Sequence, residues 1–213
     1  MTYDTLDVNG LDFRLYHGDL GVNLSGGVDS SLLLYILMKF SKNKIHAFTI
    51  SSDEKYRINS KTSVDVINRC IDLTGNFNIS HHTLYQPLQN VDNLHYLPKQ
   101  FLTDCRIDMM YTGITANPPI EVCNTFADDR IESRDFEISK QTVFEKERYY
   151  NPWANYHKQI IRDIYKHFEI LDSLFPLTRS CEYYRTDTHD IAVNYHCGQC
   201  WWCQERLWGF GRL

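Results

Sequence analysis

Apolar and polar residues alternate from Leu11 to Tyr16, and the alternation ends at His17-Gly18, which predicts a short edge strand. Residues 21–24 are a short apolar run and predict a buried strand, closed at once by a glycine-rich turn. Residues 30–40 (SSLLLYILMKF) are apolar on nearly every side, as in a buried helix. A strand follows over residues 44–50 (KIHAFTI). Residues 60–73 place Val64, Ile67 and Ile71 at helical spacing, with Gly75 as the C-terminal cap. A third strand is expected over 78–84, a helix interrupted at Pro98 over 91–106, and a fourth strand over 108–115 (DMMYTGIT).

Strands therefore alternate with helices, which predicts right-handed βαβ units and an α/β fold built on a doubly wound, mostly parallel sheet. In such sheets a ligand sits beyond the carboxyl ends of the strands, near the point where strand order reverses. The pattern lapses after Asn117-Pro118-Pro119. Residues 118–150 are charge-rich with no clear apolar stripe, and read as a surface excursion and a candidate lid. Helical spacing returns over 155–168, with Ile160, Ile161, Ile164 and Phe168 on one side, and Pro176 ends the next segment. Residues 177–213 are dominated by cysteines and aromatics. The expected organisation is a nucleotide-binding domain over 1–176 and a small metal-binding segment over 177–213.

Composition narrows the picture. A chain of 213 residues with 43% apolar residues supports one core and a small appendage. Its net charge of -5 argues against nucleic acid as the main partner, since duplex binders carry a basic footprint. No run approaches the roughly 20 apolar residues that cross a bilayer. The polar, acidic residues 1–9 do not read as a secretory signal, so a reducing cytoplasm is the expected compartment.

The turn after the second strand is Ser25-Gly26-Gly27-Val28-Asp29-Ser30-Ser31. Glycines let backbone approach phosphate oxygens, and the first N–H groups of a helix have no intrahelical partner and point at the anion. Ser25, Ser30 and Ser31 add hydroxyl donors. Asp29 would repel a bare phosphate, so it suggests either a bound Mg²⁺ or a capping role. The Lys of a Walker loop is missing, and the spacing is not that of the dinucleotide fingerprint. The segment instead resembles the SGGxDS motif of the PP-loop ATP pyrophosphatases (adenine nucleotide α-hydrolases), a superfamily that cleaves ATP at the α-phosphate and releases pyrophosphate. That resemblance implies a Rossmann-like fold.

Cys181, Cys197, Cys200 and Cys203 have the spacing C-x15-C-x2-C-x2-C. Four thiolates so spaced suit a structural, tetrahedral Zn²⁺ with no open position, and an iron–sulfur cluster also uses four cysteines. His196 could replace one thiolate. Cys70 reads as core, while Cys105 and Cys123 are isolated. Trp201-Trp202 reads as packing around the metal.

Leu177-Thr178-Arg179-Ser180-Cys181, together with Cys197-Gly198-Gln199-Cys200-Trp201-Trp202-Cys203 and the following Arg206 and Gly209-Phe210, resembles the 7-cyano-7-deazaguanine synthase family. Looser matches are Tyr56-Arg57, Gly113 with Asn117, and Asn151-Pro152 with Lys158. The resemblance implies an ATP-dependent carbon–nitrogen ligase acting on 7-carboxy-7-deazaguanine. Its carboxylate is adenylylated, ammonia gives the amide, and a second ATP gives the nitrile, in queuosine biosynthesis. It assigns ATP to Leu24, Ser25, Gly26, Gly27, Asp29, Ser30, Ser31, Arg57 and Gly113, catalysis to Asp29 and Lys158, and zinc to the four cysteines. Mg²⁺ accompanies the ATP, ammonia is the nitrogen source, arriving free or from a partner, and a homodimer is a candidate assembly. The alternative is a PP-loop enzyme that modifies tRNA or a protein terminus through an adenylylated intermediate.

Overall fold

The computed structural model describes residues 1–51, 57–85, 102, 106–126, 131–181 and 196–213. The chain opens with a hairpin, β1 (Tyr3–Val8) and β2 (Leu11–Tyr16), paired antiparallel with Val8 opposite Leu11. Asn9 and Gly10, both at positive φ (56° and 80°), make the two-residue turn that matches the twist of such a ribbon. The strand expected over 11–16 is therefore half of a separate two-stranded sheet and not an edge of the main one. It anchors through Phe13, stacked on Tyr111 at 5.9 Å, and through the Tyr111 hydroxyl, which accepts from Tyr16 N–H at 2.9 Å and donates to Arg14 O at 3.0 Å.

The main sheet contains β3 (Leu20–Asn23), β4 (Ile45–Ser51), β5 (Ile79–Tyr85), β6 (Met109–Tyr111), β7 (Val143–Phe144) and β8 (Tyr149–Tyr150) in the order β5-β4-β3-β6-β8-β7. All pairs are parallel except β7–β8. The fold is α/β with a mostly parallel sheet. The chain runs outward from β3 to β4 and β5, then returns to the other side of β3 as β6. That reversal puts the switch point at the carboxyl end of β3.

α1 (Val28–Phe40) follows β3 and is buried along almost its whole length, which explains its apolar composition on every side. α2 (Arg57–Thr74) follows β4. Its inward face carries Thr62, Ser63, Val66, Ile67 and Cys70, while Val64 is exposed. Of the expected stripe, Ile67 is buried and Ile71 packs partly buried against the core, while at the level of Val64 the small polar Thr62 and Ser63 serve as contact surface against the loop below. α3 (Ile120–Cys123) is a single turn, and α4 (Lys158–His167) buries Ile161, Ile164 and Tyr165 against α1. α5 (Trp201–Phe210) begins on the cysteine segment, packs along α4 and ends at Gly211, which adopts the left-handed cap (φ 73°). No helix was read there from sequence.

The helix expected over 91–106 lies outside the described residues, apart from Leu102 and Arg106. The excursion 118–150 does not stay at the surface throughout. Tyr149–Tyr150 rejoins the sheet beside β6, and Arg134 is buried. Charges dominate the composition of this stretch, yet the aromatic pair supplies the fifth parallel strand. The expected fourth strand is shorter than read: it pairs with β3 over residues 109–111 and with β8 over 110–111. No described helix is long and apolar enough to cross a membrane.

Candidate functional site

The segment Ser25–Ser31 sits at the carboxyl end of β3, at the switch point. Leu24 continues the ladder through its N–H to Phe48 O (2.8 Å), and its carbonyl accepts from Thr49 Oγ1 (2.8 Å) and Ser63 Oγ (3.2 Å). Gly26 turns the chain at φ 78°, and a Cβ there would lie 2.6 Å from the side chain of buried Thr62. Both conditions demand glycine. Gly27 is the N-cap of α1 and has no side-chain cap. The first helical bond runs from Ser31 N–H to Gly27 O (3.0 Å), so the N–H groups of Val28, Asp29 and Ser30 precede the intrahelical ladder. Ser25 Oγ lies 3.2 Å from Ser30 Oγ, and Ser30 Oγ donates to Gly27 O at 3.2 Å. This arrangement can receive an anion through backbone amides, the helix dipole and two hydroxyls.

Other elements press on this turn. Gly113, just past β6, lies so close to α1 that a Cβ would meet Ser30 N at 2.8 Å and the Asp29 carbonyl carbon at 2.9 Å. Arg179 N–H donates to Gly26 O at 2.8 Å, which ties the residues before Cys181 directly to the loop. Tyr165 of α4 donates to Val28 O at 2.8 Å.

Asp29 is the acidic residue of the first turn of α1, and its Oδ2 is ion-paired with Lys158 Nζ. Lys158 is the first residue of α4 and is 3% exposed, so its charge has no solvent to fall back on. Glu205 of α5, fully buried, places Oε2 3.9 Å from the same ammonium and accepts from Arg134 Nη2 through Oε1 at 2.5 Å. Arg134 also donates to Thr115 O (2.9 Å) and lies over the Trp202 ring (4.9 Å). Two cations and two carboxylates thus form one chain from the excursion to the loop, buried at every member but the half-buried Asp29. Arg206, on the same helix, donates to Thr178 Oγ1 (2.8 Å) and Phe175 O (3.2 Å). Burial pushes its guanidinium down to about 10, still charged near neutral pH.

The sulfurs of Cys181, Cys197, Cys200 and Cys203 all lie within 4.8 Å of one another. Cys197 and Cys203 are 3.9 Å apart, and Cys181 and Cys200 are 4.0 Å apart. Four thiolates at about 2.3 Å from one tetrahedral ion stand about 3.8 Å from each other, so the set fits a metal. Gly198 at φ 72° folds the Cys197–Cys200 knuckle, and the N–H groups of Gln199 and Cys200 reach Cys197 Sγ at 3.5 and 3.3 Å. Hydrogen bonding to the Cys181 sulfur is the main cause that raises the Cys200 and Cys203 thiols, and a bound dication would reverse it by holding the thiolates. Cys200 is also the N-cap of α5, so the knuckle and the helix form one unit. His196 Nδ1 stands 3.9 Å from Cys203 Sγ, and burial, then the Arg206 charge, pushes it down to about 4.

The structure therefore brings Leu24, Ser25, Gly26, Gly27, Asp29, Ser30, Gly113 and Lys158 together. Ser31 is close in sequence but fully buried. Arg57 opens α2. Asn117 binds the excursion, donating to Ile131 O (2.8 Å) and Asp135 Oδ1 (2.7 Å). Cys70 and Cys123 are buried away from the cluster, and Cys105 lies outside the described residues. Sequence reasoning missed Arg134, Glu205 and Thr62. Only charges set among aromatic and apolar residues, as in Glu205 beside Arg206, could have signalled one of them.

Residues 17–86 match the family model described as asparagine synthase, which covers about a third of the chain. No curated protein matches the chain. Among solved structures, a U34-tRNA thiolase of Methanococcus maripaludis with its [4Fe-4S] cluster aligns at TM-score 0.43 and 12% identity, over 71% of this chain. The chain spans 57% of that thiolase's length. The NMN synthetase of Francisella tularensis aligns at TM-score 0.48 and 13% identity, over 91% of this chain and 77% of the synthetase. The matched segment 17–86 contains the whole phosphate-type loop, and the match supports the PP-loop ATP pyrophosphatase superfamily for that segment.

Proposed function

We propose that this protein is an ATP-dependent carbon–nitrogen ligase that adenylylates the carboxylate of 7-carboxy-7-deazaguanine and, with ammonia, converts it to the amide and then the nitrile. The observation that carries the reading is the Arg179 N–H to Gly26 O bond. It joins the Leu177–Cys181 segment, half of the family-specific cysteine pattern, to the ATP-type loop, so both motifs act at one place. The β- and γ-phosphates would lie on the amides of residues 28–30 with Ser25 and Ser30. Lys158 would meet charge developing between the attacking carboxylate and the α-phosphate. Asp29 and the phosphates would hold the accompanying Mg²⁺. The short sulfur separations support a single structural Zn²⁺ over a [4Fe–4S] cluster, in which each cysteine binds a different iron. On this reading residues 1–176 are the ATP-handling domain, 177–213 the metal-binding segment, and the cytoplasm the place of action.

The test is release of AMP and pyrophosphate that depends on 7-carboxy-7-deazaguanine and ammonia, with the product identified by mass spectrometry. Asp29→Ala should abolish release and leave metal content intact. An unchanged carboxylate, beside turnover of a tRNA or protein acceptor, would overturn the substrate and favour the macromolecular alternative.

A further inference from the structure

We infer that Glu205 is a positioning residue for Lys158, the second carboxylate that keeps the ammonium at the loop when Asp29 turns to the magnesium nucleotide. The inference rests on the ATP-dependent reading above and deepens it. Lys158 stands between two carboxylates of unequal state. Asp29 holds it directly, and Glu205 Oε2 waits 3.9 Å away. Among the described residues, Glu205 Oε2 is a buried oxygen with no hydrogen-bond partner, and so is Asp29 Oδ1. A fully buried carboxylate oxygen without a donor is costly and calls for a reason. Lys158 Nζ is a donor set 3.9 Å from Glu205 Oε2.

The chemistry of the loop supplies that reason. An aspartate in a phosphate loop becomes useful when a cation arrives with the phosphates, and its carboxylate is then drawn from the lysine to the metal. Lys158 would be left as a buried cation. A small rotation of its flexible stem brings Nζ within bonding distance of Glu205 Oε2. An ammonium has three donors, so bonding to Glu205 leaves two for the α-phosphate and the attacking carboxylate.

The framework holds Glu205 at the required height. A Cβ on Gly209 would overlap Lys158 Cβ, so α5 touches α4 at this residue through a bare backbone. Cys200 caps α5 from the metal knuckle, and Arg134 fixes Oε1, leaving Oε2 for the lysine.

A purely structural role, neutralising Arg134, makes a different prediction. We would compare the metal-loaded wild type with Glu205→Gln, Arg134→Gln and the Arg134→Gln/Glu205→Gln double variant. Pyrophosphate release is followed against ATP concentration, with metal content and thermal melting measured in parallel. A displaced positioning contact costs roughly tenfold to a hundredfold in rate. The expected result is a kcat loss of about that size in both variants lacking the Glu205 carboxylate, with KM for ATP changed less than about threefold. Arg134→Gln leaves the Glu205 carboxylate in place, so its kcat should fall less than that of either variant lacking the carboxylate. The double variant removes both charges of the pair, so it reports even where Glu205→Gln alone fails to fold. Wild-type kcat in the double variant overturns the inference. So does a kcat that follows Arg134, or a double variant that loses its metal or its cooperative melt. A wild-type protein that neither binds MgATP nor releases pyrophosphate refutes the ATP reading itself, and the variants are not needed to see it.

Discussion

Replacing Gly113 by alanine tests the close approach between β6 and the first turn of α1. The new Cβ would stand 2.8 Å from Ser30 N, 2.9 Å from the Asp29 carbonyl carbon and 3.0 Å from Ser30 Cα. All three are backbone atoms, so no side chain can rotate away. Ordinary contact requires a separation larger by about 0.5 Å, which either α1 or the strand after Tyr111 must yield. Overpacking of this kind costs about 1–3 kcal/mol, and rigid neighbours on every near side place Gly113→Ala in the upper half, at about 2–3 kcal/mol. For a chain of this size that lowers the melting temperature by about 5–10 °C. Gly75→Ala is the control. Gly75 has φ 68° and open space around its would-be Cβ, so only backbone strain is felt, about 1 kcal/mol or a few degrees. The same displacement moves the amides of Asp29 and Ser30, so MgATP affinity should fall about tenfold in Gly113→Ala and stay constant in Gly75→Ala. Differential scanning calorimetry and isothermal titration read the two effects. A Gly113→Ala protein that melts no lower than Gly75→Ala refutes the reasoning, because residues after β6 would then yield without moving the loop.

Cys203→Ser should lose about one equivalent of metal per chain by elemental analysis, with a melting temperature well below wild type, since binding energy at a structural site is folding energy. A variant with full metal content and an unchanged melt would remove the four-cysteine site. Stability should also fall on mild acidification. Burial is the main cause that lowers His46, His81 and His82 below their ordinary value, and His46 Nδ1 lies 3.1 Å from His82 Nε2, so one ring must be an acceptor. Below about pH 6.5 the unfolded histidines take up protons that the folded ones resist, so folding free energy is lost as pH drops through that window. Urea midpoints should therefore decrease from pH 7.5 to 5.5, and less steeply in His46→Gln. A midpoint that rises on acidification would contradict the assignment.

Local periodicity and turn chemistry determined much of this protein. The apolar runs at 21–24 and 30–40 could be read as strand and buried helix because both are near-continuous in apolar residues. The strand–glycine–helix order then located the loop at the switch point without knowledge of any contact. Spacing alone drew Cys197, Cys200 and Cys203 together, since a two-residue knuckle is a local structure. Tertiary structure decided what local pattern cannot carry. Val64 lost its place in the core because Thr62 and Ser63 pack against Gly26 and Leu24 across the α2–loop contact. Tyr149 and Tyr150 became a strand because β6 offered them an unpaired edge, despite the charges around them. The first hairpin left the main sheet because its Asn9-Gly10 turn closes it on itself, and Tyr111 and Tyr150 supply the surface on which it rests. Above all, the chain Arg134–Glu205–Lys158–Asp29 joins residues separated by up to 129 positions. Each of these four charges is ordinary on a solvated surface. Only burial, which removes water and forces every charge to find another, turns them into a site.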